Sequence, residues 1–358
     1  MIYSSILFHR KISIVVNLLL VGLLVSCQSL LAPLSTPTAT ATSTLTSTAT
    51  SRSLLREAPA TLAITPLPVV EAETLELFDY DPSAPLDIEA EPILKLIGYN
   101  YQDLTYASPK GGRVPATLLM PAESSGPFAG IILMHGLPGD RTNNASFARS
   151  LVATGAVVLM IDAPFARPEN RGRSRWPLTF DEVDRLEQIQ LMIDLRRGVD
   201  LLITREDVDL DRLAYVGYSY GGAMGGLLAG LEPRIKAFGL MVGDGGIVSH
   251  FTDSDGTPLS ELERLPDAQR KTWLARMEPI EPIRFIGRAA PGSLFFQNAL
   301  LDQAVTREDA LAYQAAGRAP KKIEWYESDH FLPKEAFQHM ADWLGAKIGI
   351  DATQFTGP

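Results

Sequence analysis

Gly217-Tyr218-Ser219-Tyr220-Gly221, followed by Gly222, is the segment most able to do chemistry. It fits G-x-S-x-G, and its setting is a buried strand before and a helix after, over Arg212–Val216 and Ala223–Leu231. A serine on a sharp strand-to-helix turn is a candidate nucleophile, and the following helix N-terminus favours negative charge developing beside it. A serine needs a base. The chain has 5 histidines. His9 falls in a leader-like segment, His250 in an irregular stretch and His339 inside the last helix. His135 and His330 both follow strands. His330, in Ser328-Asp-His-Phe331 between the final strand and the final helix, is the expected base, with His135 as its rival. The histidine in turn needs an orienting carboxylate, expected between nucleophile and histidine in chain order. Asp302 and Asp244 both follow strands there, and Asp302 is the expected acid.

These groups must be held by a frame. Gly130–Met134 and Ala156–Ile161 are wholly apolar runs, the mark of strands buried on both faces. Leu96–Tyr106 and Val114–Met120 read as strands joined by a turn at Pro109–Gly112, and Ile235–Val242, Ser293–Gln297 and Lys322–Tyr326 as further strands. Helices are expected over Ala145–Thr154, Phe180–Ile203, Arg307–Ala316 and Lys334–Lys347. In the second, Val183, Leu186, Ile189, Ile193 and Val199 recur at helical spacing as the buried face. Strands alternating with helices predict an α/β fold, a mostly parallel sheet with helices on both faces. Residues 245–290 are too long for a plain connection and read as a small helical cap insertion over the site.

With these residues in view, the chain resembles the α/β-hydrolase fold and, within it, the dienelactone-hydrolase-like and acetyl-xylan-esterase-like serine esterases. The likeness spans residues 95–348. It rests on the His135-Gly136 loop, Tyr215-Val-Gly-Tyr-Ser-Tyr-Gly-Gly222, the Asp302 loop and the His330 loop, in family order. The resemblance implies Ser219 as nucleophile, Asp302 as acid and His330 as base. It also implies an oxyanion hole from the backbone N–H groups of Tyr220 and Leu137, with neither metal nor organic cofactor. Dienelactone hydrolases carry cysteine where this chain has Ser219, so the expected substrate is a small-molecule carboxylic ester in general. Prolyl-oligopeptidase-like serine peptidases share the fold and form an alternative, as does a non-catalytic binding lipoprotein.

The rest of the chain bears on location and partners. The 358 residues are 46% hydrophobic and 21% charged, with a formal net charge of −10, so attraction to a phosphate backbone is not expected. There is 1 cysteine, which excludes an intramolecular disulfide or a multi-thiolate metal site. His9, Arg10 and Lys11 precede an apolar run, Ile12–Val25, and then Ser26-Cys27. That pattern reads as a secretory signal over residues 1–26. Leu24-Val-Ser-Cys27 resembles the lipobox of bacterial lipoproteins, in which the cysteine is acylated, so the expected place is an exported, lipid-anchored one. From Thr36 to Thr50 every even position is threonine, and residues 27–70 are expected to be a disordered tether, leaving 71–358 as the folded domain. Arg167, Arg171, Arg173 and Arg175 crowd one loop after a strand. The last three are candidate grips for an anionic group on the substrate, against the plainer reading of a solvated loop.

Overall fold

In a computed structural model the described residues are 69–122, 126–170, 173, 178–252, 257–258 and 260–358. The signal segment, Cys27, nearly all of the tether, Arg171 and Arg175 lie outside them. The described residues from Val69 to Pro358 belong to one compact unit.

The strands are β1 (Glu89–Ala90), β2 (Leu94–Leu96), β3 (Tyr99–Ala107), β4 (Arg113–Pro121), β5 (Phe128–Met134), β6 (Ala156–Ile161), β7 (Val208–Tyr218), β8 (Ala237–Met241), β9 (Leu294–Ala299) and β10 (Lys322–Tyr326). They form one sheet in the order β1-β3-β4-β6-β5-β7-β8-β9-β10, with β2 also pairing with β3. From β6 to β10 the neighbours are parallel, and β3 and β4 are antiparallel additions at one edge. The helices are α1 (Ala72–Glu76), α2 (Ala145–Ala153), α3 (Glu182–Ile203), α4 (Tyr220–Leu231), α5 (Ile247–Phe251), α6 (Ser260–Glu263), α7 (Asp267–Met277), α8 (Pro282–Phe285), α9 (Arg307–Ala316) and α10 (Lys334–Ile348).

Alternate side chains of the central strands feed two cores. Ile132 and Met134 of β5 join α3, α4 and α9 on one face, while Ile131 and Leu133 join α2 and α10 on the other. Every residue of β5 and β6 is buried, as their apolar runs require. The parallel order carries the carboxyl ends of β5 to β10 to one edge, so the loops with the chemistry-bearing residues converge there.

One expectation needs correction. Val183 and Leu186 do not face the core: they are 36% and 53% exposed. The inward side of that first turn is taken by Asp184, whose carboxylate accepts the N–H groups of Thr179 and Phe180 and the indole N–H of Trp273. A satisfied buried carboxylate has displaced the apolar stripe by one position. The short β1 and β2, exposed throughout, exist through backbone pairing to β3.

The insertion at 245–290 contributes α5 to α8, and its core side chains pack toward α3 and α4. Trp273 is 1% exposed and meets Phe180 edge-on at 5.2 Å, and Phe285 meets Phe78 at 5.6 Å. Among the described residues, no helix is long and apolar enough to cross a membrane.

Candidate active site

Ser219 stands between β7 and α4 with φ 54° and ψ −116°, a left-handed conformation that a serine rarely adopts. The turn is so tight that a Cβ on Gly217 would meet the Gly221 carbonyl oxygen at 2.1 Å, and one on Gly221 would meet the Met134 carbonyl oxygen at 2.6 Å. The glycines are therefore required by backbone contact, and the turn lifts the Ser219 hydroxyl out at the strand end.

His330 lies four residues past the end of β10. Its Nε2 is 2.9 Å from Ser219 Oγ, and its Nδ1 is 2.8 Å from Asp302 Oδ2. The carboxylate can only accept, so Nδ1 carries the ring proton, and Nε2 is free to accept from the serine hydroxyl. Asp302 is itself fixed, because its Oδ1 accepts the N–H groups of Ala304 at 2.8 Å and Val305 at 3.0 Å. Its side chain is 2% exposed, against 21% for His330. Burial pushes the Asp302 carboxyl up, but the hydrogen bonds from His330, Val305 and Ala304 outweigh it and hold the group below its ordinary value. It is therefore an anion at neutral pH. The loops are also stitched together, with Leu301 N–H donating to the Ser328 carbonyl at 3.0 Å.

The two residues expected at an oxyanion hole flank the serine. Tyr220 opens α4, where the first N–H groups have no partner within the helix. Leu137 follows Gly136, whose Cβ, if present, would stand 3.1 Å from Ser219 Cβ. That loop is tied down farther along. Arg141 N–H donates to Asp162 Oδ1 at 2.9 Å, and Asn144 Nδ2 donates to the Met134 carbonyl at 3.1 Å.

The rival residues are engaged elsewhere. His135 is 1% exposed, with Nδ1 2.8 Å from the Gly136 carbonyl and Nε2 accepting from Ala163 N–H at 3.2 Å. Burial drives its imidazole down to about 4, against the pull of the Gly136 carbonyl and the Asp140 charge. It is a neutral ring joining two loops. Asp244 accepts from Gly246 N–H through Oδ1 and lies 3.3 Å from His250 Nδ1 through Oδ2. The hydrogen bond to Asp244 is the main reason that the His250 imidazole is raised, against its burial.

Beside Asp244 lies a group that sequence reasoning missed. Glu281, 4% exposed, accepts the Ile247 N–H at the start of α5. Burial lifts its carboxyl from 4.5 to about 8, with Asp244 pushing the same way and the N–H groups of Val248, Ile247 and Ser249 pulling back. The folded state thus holds a proton that the unfolded chain has released. Its stabilising effect is complete below 4.5 and is lost as pH rises through about 8. Thermal unfolding followed across that window should show the wild type losing stability relative to Glu281→Gln. Parallel curves would rule the assignment out.

Of the arginine loop, two members are committed to α3. Arg167 forms a buried ion pair with Asp194, and Arg173 makes a bidentate pair with Glu187 at 2.7 and 2.8 Å. Arg173 is therefore held by a carboxylate of its own chain. Among the described residues, no three His, Cys, Asp or Glu side chains are grouped to hold a metal ion.

Residues 131–278 match the family model described as alpha/beta hydrolase fold. The chain has the α/β-hydrolase fold. The solved α/β hydrolases that it resembles include the acetyl xylan esterase from Paenibacillus sp. R4, with TM-score 0.66 and 18% identity, covering 79% of this chain and 97% of that one. Acetyl xylan esterase 1 from Thermoanaerobacterium sp. JW/SL YS485 gives TM-score 0.63 at 18% identity, over 76% and 92%. In sequence, the chain is 28% identical over 154 residues to a probable 2-oxo-3-(5-oxofuran-2-ylidene)propanoate lactonase from Bradyrhizobium sp.. That match takes in 42% of this chain and 54% of the relative, so it spans about half of the relative's length.

Proposed function

We propose that the protein is a serine hydrolase of carboxylic esters, cyclic esters included. The observation that carries this reading is the continuous hydrogen-bonded chain from Ser219 Oγ through His330 to Asp302 on a left-handed serine turn. Such an arrangement lets His330 Nε2 take the hydroxyl proton as Oγ attacks an ester carbonyl. The new C–O bond leaves a tetrahedral oxyanion, which the N–H groups of Tyr220 and Leu137 stabilise, each worth roughly 10²–10³ in rate. His330 then returns the proton to the departing alcohol, and the acyl group stays on Ser219. Water, activated by the same imidazole, releases the acid. The names of the relatives support an ester or lactone as substrate over an amide.

The same proposal places the domain at the cell surface or periplasmic face, held by lipid on Cys27 and set off by the threonine-rich segment. Arg171 and Arg175 remain candidates for contact with an anionic substrate group.

The test uses purified protein on nitrophenyl esters of increasing chain length, a five-membered lactone, acetylated xylan and a peptide anilide. Ester or lactone hydrolysis, blocked by a fluorophosphonate, is expected. Anilide cleavage at a comparable rate would favour the peptidase reading. Folded protein inert toward the whole panel would favour a binding lipoprotein.

A further inference from the structure

The residue before the serine also enters the site. Tyr218 ends β7, and its ring meets His330 edge-on, with centroids 6.1 Å apart. Its hydroxyl donates to the His330 carbonyl at 2.7 Å and accepts the Leu332 N–H at 3.0 Å. The ring lies parallel to Phe337 of α10, at 6.3 Å and 8°. One side chain thus grips the backbone on both sides of Phe331, starting from the residue bonded to Ser219. Burial raises the Tyr218 hydroxyl, the Leu332 N–H works against that, and the Asp302 and Asp329 charges add to the rise, so the group stays protonated and able to donate.

We propose that Tyr218 is a positioning residue for His330, fixing the imidazole's distance and angle to Ser219 Oγ through its two hydrogen bonds to the His330–Leu332 backbone. The inference rests on the serine-hydrolase reading. The bonds from Leu300 and Leu301 to Tyr326 and Ser328 hold the start of the histidine loop, while the ring itself is bonded to Asp302 and Ser219. Between His330 and Pro333, the hydrogen bonds described from the loop backbone to the nucleophile's own strand are the two that Tyr218 makes. A catalytic group displaced by about 1 Å can lose roughly 10²-fold in rate.

The step most sensitive to the position of His330 is proton delivery to the leaving alcohol. A nitrophenolate leaves without a proton, whereas an ethoxide needs one. In Tyr218→Phe, kcat/KM per titrated active site should fall roughly 10–100-fold for an ethyl ester and distinctly less for the nitrophenyl ester of the same acid, with KM little changed. A purely structural role would leave both unchanged per titrated site, because it changes only the fraction of competent molecules. Phe337→Leu, which withdraws the face under the Tyr218 ring, should show a smaller loss with the same selectivity. It decides the matter if Tyr218→Phe does not fold. Unchanged rates, or equal losses on both esters, would overturn the proposal. Ser219→Ala run alongside separates the two levels: if it remains active, the serine-hydrolase reading falls; if it is inactive and Tyr218→Phe is normal, only the role of Tyr218 falls.

Discussion

Ser219→Ala should lower ester turnover by about 10⁴–10⁶-fold, with the protein still folded. The loss is large because the nucleophile and its base act as one unit. With Oγ gone, His330 has no proton to take and no acyl-enzyme forms. What persists is the effect of the oxyanion donors and substrate binding, roughly 10³–10⁴ over water. The fold should survive, since alanine is smaller than serine and meets the same left-handed backbone at φ 54°. A fluorophosphonate gives an independent reading. Ser219 Oγ bonds to phosphorus, fluoride leaves, and the mass gain falls on the peptide holding Ser219. Equal labelling or retained turnover in the alanine variant would remove Ser219 as the nucleophile.

The buried centre of the fold was legible for a simple reason. Gly130–Met134 and Ala156–Ile161 are apolar at every position because both of their faces are covered, and the structure buries each residue. β1 and β2 carry no such pattern; they are two and three exposed residues held by backbone pairing, which leaves no mark on side-chain type. Helix α3 shows the opposite failure. Its spacing reads by apolarity, but Asp184 holds the inward place because the Thr179 and Phe180 N–H groups and the distant Trp273 indole all donate to it, which periodicity cannot carry. Arg173 is a similar case: it reads as a candidate grip for a ligand, yet its carboxylate, Glu187, waits on α3, as Asp194 does for Arg167. In the site, Ser219 was legible from a local turn. That His330 is the histidine brought to it, and His135 the one buried behind Ala163, depended on where strand ends meet. Tyr218 gave no signal, since any residue fits the second position of the motif and its hydroxyl acts on a segment more than a hundred residues away.

Asp302→Asn should lower turnover by about 10⁴-fold, while Asp244→Asn should cost at most about tenfold, roughly 1.4 kcal/mol in the barrier. Both aspartates follow neighbouring parallel strands, so position alone does not rank them. The bonds do. Asp302 uses Oδ1 to hold its own loop through Ala304 and Val305 and turns Oδ2 to His330 Nδ1 at 2.8 Å. An asparagine that keeps its carbonyl oxygen on the loop presents an NH₂ group to Nδ1. The ring must then accept there and carry its proton on Nε2, which leaves nothing to receive the serine proton. Restoring the active tautomer by turning the amide breaks the two loop bonds instead. Asp244 sits differently. The chain leaves β8 through Val242 at φ 42°, turns at Gly243, and brings the Asp244 carboxylate to Gly246 N–H and His250. Its amide variant weakens one 3.3 Å contact to a half-exposed imidazole and leaves the Ser219–His330–Asp302 chain as it was. Measured on folded protein with one ester, the opposite ranking would assign the orienting carboxylate to Asp244, and His330 would then have to leave Asp302 during turnover.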